Sequence, residues 1–268
     1  MKKHAFAALA AGAVLIGAAT AAAEPPPTLV PGQLTVGVSM PSEGFQTGAV
    51  VGSDVVYARG FEIELARQLR ARMGFTTVRF KQALEFTDLF SAGTKTWDIA
   101  IAQISTFAAR KKTADFSVPY MVADQGVLLS RAVRTAPRNI AQLRTLKLCV
   151  ERLSSGDAIV RTRVKPRRAA RTFKAVQNMM QGLQTGVCDA VVYDAPSLAT
   201  LRNRVPSRYG GFAGRIVTRE AYGIAMPKGS SLLAPVNTAL RAMIADGAVN
   251  ALEKRWLAAD LDKLRVLR

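Results

Sequence analysis

In the stretch WDIAIAQISTFAARKKTADFSVPY (97–120), Arg110, Lys111 and Lys112 follow an alternating apolar run, Ile99, Ile101 and then Ser105, that reads as a strand. Thr106 stands where the cap of a short helix is expected after it. Cations in the first turns of a helix are unfavourable, because free N–H groups and the macrodipole already concentrate positive charge there. The spacing therefore calls for an anion. A guanidinium beside free helix N–H groups is a good receptor for a carboxylate, whereas Lys111 and Lys112 read as solvated surface.

A second group of residues has the complementary character. Asp194 ends the run DAVVYD and precedes APSL, so it is either an ordinary helix cap or a carboxylate held for a cation, and its two oxygens allow both. Ser154 and Ser155, in ERLSSGD, begin a helix after a strand and offer a cap and N–H groups, with Arg152 close by. Cys149 and Cys188 form a disulfide or remain two buried thiols. Histidine is confined to His4, which excludes a histidine-based triad and a Cys/His metal site, so no catalytic residue, metal or cofactor is expected.

Elements that can position these residues alternate along the chain. LTVGVSM reads as a strand, GFEIELARQLRARMG as an amphipathic helix ending at Gly74, TTVRFKQ as a strand, EFTDLFSAG as a helical piece, and DIAIAQIS as a strand. The order repeats through LKLCVER, SSGDAIVRTRV, AARTF, AVQNMMQGLQTG, DAVVYD and APSLATLRNRV. GAVVGSD reads as a turn-rich loop. Two strand–helix units in tandem imply an α/β fold with two lobes and a cleft between them, each lobe a mainly parallel sheet flanked by helices. In a sheet ordered 2-1-3, the strand of Cys149 neighbours the one that Cys188 precedes.

The basic, then apolar, then small-residue start, MKKH to AAA at 21–23, has the pattern of a secretory signal peptide, without a cysteine for lipid attachment at the cleavage point. Export to a periplasm follows. The formal charge is +18; without Lys2 and Lys3, 35 basic residues face 19 acidic ones, a net +16. With few aromatics between the scattered arginines and no nucleic-acid signature, nucleic acid is not an expected partner.

At GFEIELARQL after LTVGV, DIAIAQISTFAARKKTADFSVPY, LKLCVERLSS, VCDAVVYDAPSL, AYGIAMPKGS and GAVNALEKRW, the chain resembles the periplasmic solute-binding proteins of polar amino-acid ABC transporters, the bacterial family 3 type. The resemblance implies a type II fold of two α/β lobes joined by two hinge crossings. The expected division is 1–23 signal peptide, 24–33 linker, 34–128 with 218–268 as lobe 1, and 129–217 as lobe 2. It also implies that Arg110, five residues after Ser105, grips a ligand α-carboxylate and that Asp194 receives its ammonium. The ligand-binding set comprises Arg110, Ser105, Gln103, Asp194, Ser154, Ser155, Ser39, Phe45, Glu85, Phe86 and Arg152.

Two departures bear on the ligand. Leu153 replaces the family's usual glycine before Ser154, and Ser39 and Ser42 stand where many members carry an acid and an aromatic. Unless Glu43, Phe45 or Phe86 compensates, a common cationic or aromatic amino acid is not the expected ligand, because buried charge needs a partner. The expected activity is capture of an amino acid or related small carboxylate by a monomer that delivers it to a membrane permease. A prephenate-type dehydratase and a sensory receptor component are the alternatives.

Overall fold

Runs rich in Val, Ile and Leu become the strands of two sheets in the computed structural model, which describes residues 25–258 and 261–268. The signal-peptide reading of 1–23 lies outside the described residues. In chain order the strands are β1 (Gln33–Val38), β2 (Thr47–Val51), β3 (Asp54–Arg59), β4 (Thr77–Gln82), β5 (Ile99–Ala100), β6 (Ala114–Phe116), β7 (Met121–Leu129), β8 (Leu148–Glu151), β9 (Arg171–Phe173), β10 (Ala190–Asp194), β11 (Phe212–Tyr222) and β12 (Ala225–Pro227). The helices are α1 (Phe61–Arg72), α2 (Ile140–Leu143), α3 (Ser155–Ile159), α4 (Val176–Gln184), α5 (Ala195–Arg204), α6 (Leu233–Ala245) and α7 (Ala248–Trp256).

The first sheet runs β2-β3-β4-β1-β5-β12-β6 and the second β11-β7-β10-β8-β9. Each has the expected parallel centre, β4-β1-β5 in one and β9-β8-β10 in the other. Antiparallel strands are added at the edges, so both sheets are mixed. The long strands β7 and β11 pair antiparallel and make the two crossings. Met121, Ala123 and Tyr222 at one end pack in the first core, and Val127, Leu129, Ala213 and Ile216 at the other pack in the second.

Three local readings are corrected. The stretch 48–54 is the heart of an antiparallel hairpin, β2 with β3, closed by a turn at Gly52 with φ 62°. Strand β5 is only two residues long, because Gln103 adopts φ 49° and turns the chain out of the sheet. No Thr106-capped helix follows; Arg110–Lys112 form a single 3₁₀ turn whose N–H groups bond back to Phe107 and Ala109 carbonyls. The free N–H groups that the sequence argument invoked are thus used locally, and the anion-seeking group here is the Arg110 side chain itself.

Cys149 on β8 and Cys188 before β10 are disulfide-bonded, with Cα atoms 5.8 Å apart. After α7 the chain returns to the second lobe. Arg215 N donates to Arg265 O (2.7 Å), Leu267 N to Arg215 O (2.8 Å) and Ile140 N to Arg268 O (3.0 Å). Leu267 is fully buried in the second core. Segment 261–268 therefore ties the two lobes a third time.

Candidate functional site

Arg110 projects from its 3₁₀ turn into the space between the lobes and is buried there. Its guanidinium donates to Ser105 O (3.1 Å) and, across the cleft, to Leu153 O (3.3 Å). The rings of Phe90, Phe107 and Phe86 surround it with centroids 4.3, 5.2 and 5.3 Å away. Desolvation pushes its pKa down to about 10, and the carboxylates of Asp194, Glu220 and Glu151 oppose that shift. It stays charged at neutral pH, stacked and oriented, with neutral carbonyls as its hydrogen-bond partners.

Those three carboxylates are all buried. Asp194, at the end of β10, makes no side-chain cap to α5, which removes the plain N-cap reading. Its Oδ1 accepts instead from Gln125 Nε2 (2.6 Å). The same nitrogen lies 3.1 Å from Glu220 Oε1 and 3.1 Å from Ser155 Oγ. Glu220 Oε2 accepts from Ser105 Oγ (2.8 Å). Gln125 Oε1 is a buried acceptor with no partner among the described residues, which leaves a place for an incoming donor.

Burial, then repulsion from Glu220, raises the Asp194 pKa to about 7, against the lowering pull of Gln125, Tyr222 and Arg110. Burial, then Asp194, raises Glu151 to about 8, and Arg110 lowers it. Two carboxyls that titrate near neutrality beside a third are a site short of positive charge.

Gln103 belongs to the wall rather than to the charge cluster. Its backbone N and Nε2 donate to Glu62 (2.7 and 2.9 Å), while its Oε1 accepts from Ser42 Oγ (2.7 Å) and, from the other lobe, Ser197 Oγ (3.2 Å). Glu62 also accepts from Gln46 Nε2 (2.6 Å) and Tyr120 Oη. Burial raises its pKa despite these donors.

At the mouth, Ser39, Glu85, Phe86, Gln103 and Glu151 line a cavity of about 80 Å³. Glu85 pairs across it with Arg152 (2.9 Å) and Lys174 (3.1 Å), and Glu43 pairs with Arg204. Lys174, then Arg152, holds the Glu85 pKa below the usual range. These contacts, with Arg110 on Leu153, describe lobes closed against each other.

The structure thus gathers Arg110, Ser105, Asp194 and Ser155 at the centre and Ser39, Gln103, Glu85, Phe86 and Arg152 at the wall or mouth. It does not bring Phe45, which is fully buried in the first core against Phe61 (5.7 Å, edge to face). Ser154 is spent as the α3 cap, accepting from Asp157 N (3.2 Å) and donating to Glu151 O (2.8 Å). Glu43 is paired with Arg204 and Phe45 lies in the first core, while Phe86 places a ring over Arg110, and Glu220 and Glu151 are buried carboxyls whose charge acts on it. Sequence reasoning missed Gln125 and Glu220. Their signal was polar residues inside extended apolar runs, MVADQGVLL and REAYGIA.

Residues 34–259 match the bacterial extracellular solute-binding proteins, family 3. The chain is 28% identical to an L-cystine-binding protein of Escherichia coli strain K12, over 76% of each protein. It is 25% identical to an ABC transporter glutamine-binding protein of Bacillus subtilis strain 168, over 75% of this chain and 73% of that one. Among solved structures, an ancestral arginine-binding protein bound to arginine superposes with a TM-score of 0.74 at 28% identity, covering 84% of this chain and 98% of the other. An arginine-binding protein of T. maritima, as its P235GK mutant, gives 0.72 at 26%, covering 84% and 95%. With two lobes, two crossing strands and a buried arginine facing carboxylates across the cleft, the chain belongs to the family 3 bacterial extracellular solute-binding proteins.

Proposed function

We propose that this protein captures an amino acid carrying a second positive charge in the periplasm and hands it to the membrane permease of an ABC transporter. One observation carries the ligand class: Glu151, Asp194 and Glu220 are buried around the single guanidinium of Arg110. A ligand α-carboxylate on Arg110 adds a fourth negative charge. An α-ammonium and a side-chain cation, together with Arg110, then supply three positive charges against four negative ones, and one protonated carboxyl closes the balance. A neutral amino acid is balanced only with both Asp194 and Glu151 protonated, whereas a second ligand cation lets one of them ionise, and an acidic amino acid adds a negative charge that has no partner. The likeness to arginine-binding structures supports the same reading.

The test is a thermal-shift panel of L-arginine, L-lysine, L-ornithine, L-cystine, L-glutamine and L-glutamate. Saturation at about 100 times the dissociation constant adds roughly 2.7 kcal/mol of stability. The basic amino acids shift the melting temperature and L-glutamate does not. A shift with L-cystine alone moves the assignment to a ligand with two ammonium groups, and a shift with L-glutamate alone rejects the cationic class.

A further inference from the structure

Basic residues occur along the whole sequence, but the fold segregates them. Within 129–217, 17 Lys and Arg stand against four acids, a net +13; 34–128 and 218–268 together carry 18 against 14. Three of those four acids, Glu151, Asp157 and Asp194, are buried, and Asp189 is half-buried. The basic side chains point the other way, with 15 of the 17 residues exposed. The outer surface of the second lobe is therefore predominantly positive, with Asp189 beside Lys147 and Asp262 of the returning segment near Arg215 as its acids.

Its densest part is RTRVKPRRAAR (161–171), with six cations in eleven residues, all exposed. Arg144 joins them, its Nε donating to Lys165 O (2.8 Å) and its carbonyl accepting from Arg167 N (2.9 Å). Arg161 pairs with Asp157 (3.1 Å), but Lys165, Arg167 and Arg168 have no side-chain hydrogen bond or ion pair among the described residues. Adjacent like charges repel, so such a run lowers stability unless an outside anion offsets it.

We infer that this face of the second lobe docks on a bilayer rich in anionic lipid. Val164, the one large apolar residue of the run, is buried, and Arg163 lines a cavity of about 750 Å³, so Lys165, Arg167 and Arg168 offer charge without a large apolar anchor among them. That suits a diffuse, laterally mobile charged surface rather than a shaped protein partner, which needs a buried apolar or aromatic anchor. Such docking holds the protein beside a membrane transporter without using the cleft.

Co-sedimentation of the full chain tests this, with vesicles of phosphatidylcholine alone and of phosphatidylcholine with phosphatidylglycerol, at low salt and at about 0.5 M salt. The chain binds the anionic vesicles, ignores the neutral ones and releases in salt. A variant carrying Lys165→Gln, Arg167→Gln and Arg168→Gln melts no lower than the unsubstituted chain and loses binding on the order of a hundredfold. A control carrying Arg241→Gln, Lys254→Gln and Arg255→Gln removes the same charge from the first lobe and keeps most of the binding. Equal losses in both variants, binding to neutral vesicles, or no binding at low salt would overturn the inference. So would capture of duplex DNA at physiological salt with no vesicle binding, which would assign the face to nucleic acid.

Discussion

Arg110 is held within its own lobe by Ser105 O and three aromatic rings, so its planar fork is oriented before closure adds Leu153 O from the other lobe. Arg110→Lys keeps the charge and loses the fork. Losing a charged, desolvated hydrogen-bonded pair costs about 3 kcal/mol, so calorimetry with L-arginine should show affinity falling more than a hundredfold while the fold survives. A change under threefold would remove Arg110 from the site. Asp194 and Glu151 make a pH prediction. Their native pKa values, about 7 and about 8, lie above the unfolded ones, so the native state binds more protons and its stability is lost as pH rises from about 4 through those values. The ligand-free melting temperature should therefore fall between about pH 4 and about pH 8. A ligand cation stabilises the ionised forms, so the thermal shift from L-arginine should grow over the same range. A shift that shrinks with rising pH would mean that the ligand cation does not meet these carboxyls. Arg110 and Asp194 were legible through the resemblance, in the spacing from Ser105 to Arg110 and in the run DAVVYDAPSL, while the helix N–H argument for Arg110 failed because a 3₁₀ turn stands there. Glu220 was not, since its inward direction is set by an irregularity of β11 between Ile216 and Glu220 that includes Arg219 at φ 48°, and alternation carries no sign of it.

Among the elements, β11 has two jobs: it crosses between lobes and receives segment 261–268. Gly214 (φ 156°) makes the second possible, since a Cβ there would lie 2.3 Å from Arg265 O. Gly214→Ala should therefore lower the melting temperature, because the close atom is backbone and cannot swing aside. Leu267→Ala should cost about 2–5 kcal/mol as a cavity in the second core, read by denaturant unfolding. If both substitutions leave stability unchanged, the third tie contributes nothing. The parallel centres of both sheets and the helices around them were readable because their hydrophobic periodicity is strong and each element is bounded by a turn residue. The β2–β3 hairpin was not, because four of the five β2 residues are exposed and show no buried alternation. The Arg110 turn misled for a different reason: three residues are too few to carry a periodic pattern, and backbone bonding to Phe107 replaced the cap.

For the whole molecule, closure brings like charges together. The closed lobes place Asp194, Glu220 and Glu151 around one guanidinium, so shutting without a ligand requires Asp194 and Glu151 to hold protons, and a cationic ligand lets one of them ionise. The mouth pairs of Glu85 with Arg152 and Lys174 are exposed and contribute little by themselves. Binding energy is thus directed into lobe closure rather than chemistry, as the two-crossing hinge allows. The most direct measurement is calorimetric titration of L-arginine into ligand-free protein at neutral pH, in two buffers of different ionisation enthalpy. The account predicts tight binding with release of protons to the buffer, as one of the two carboxyls, Asp194 or Glu151, ionises against the ligand's second cation. Failure of L-arginine to bind, or binding with proton uptake, would contradict it.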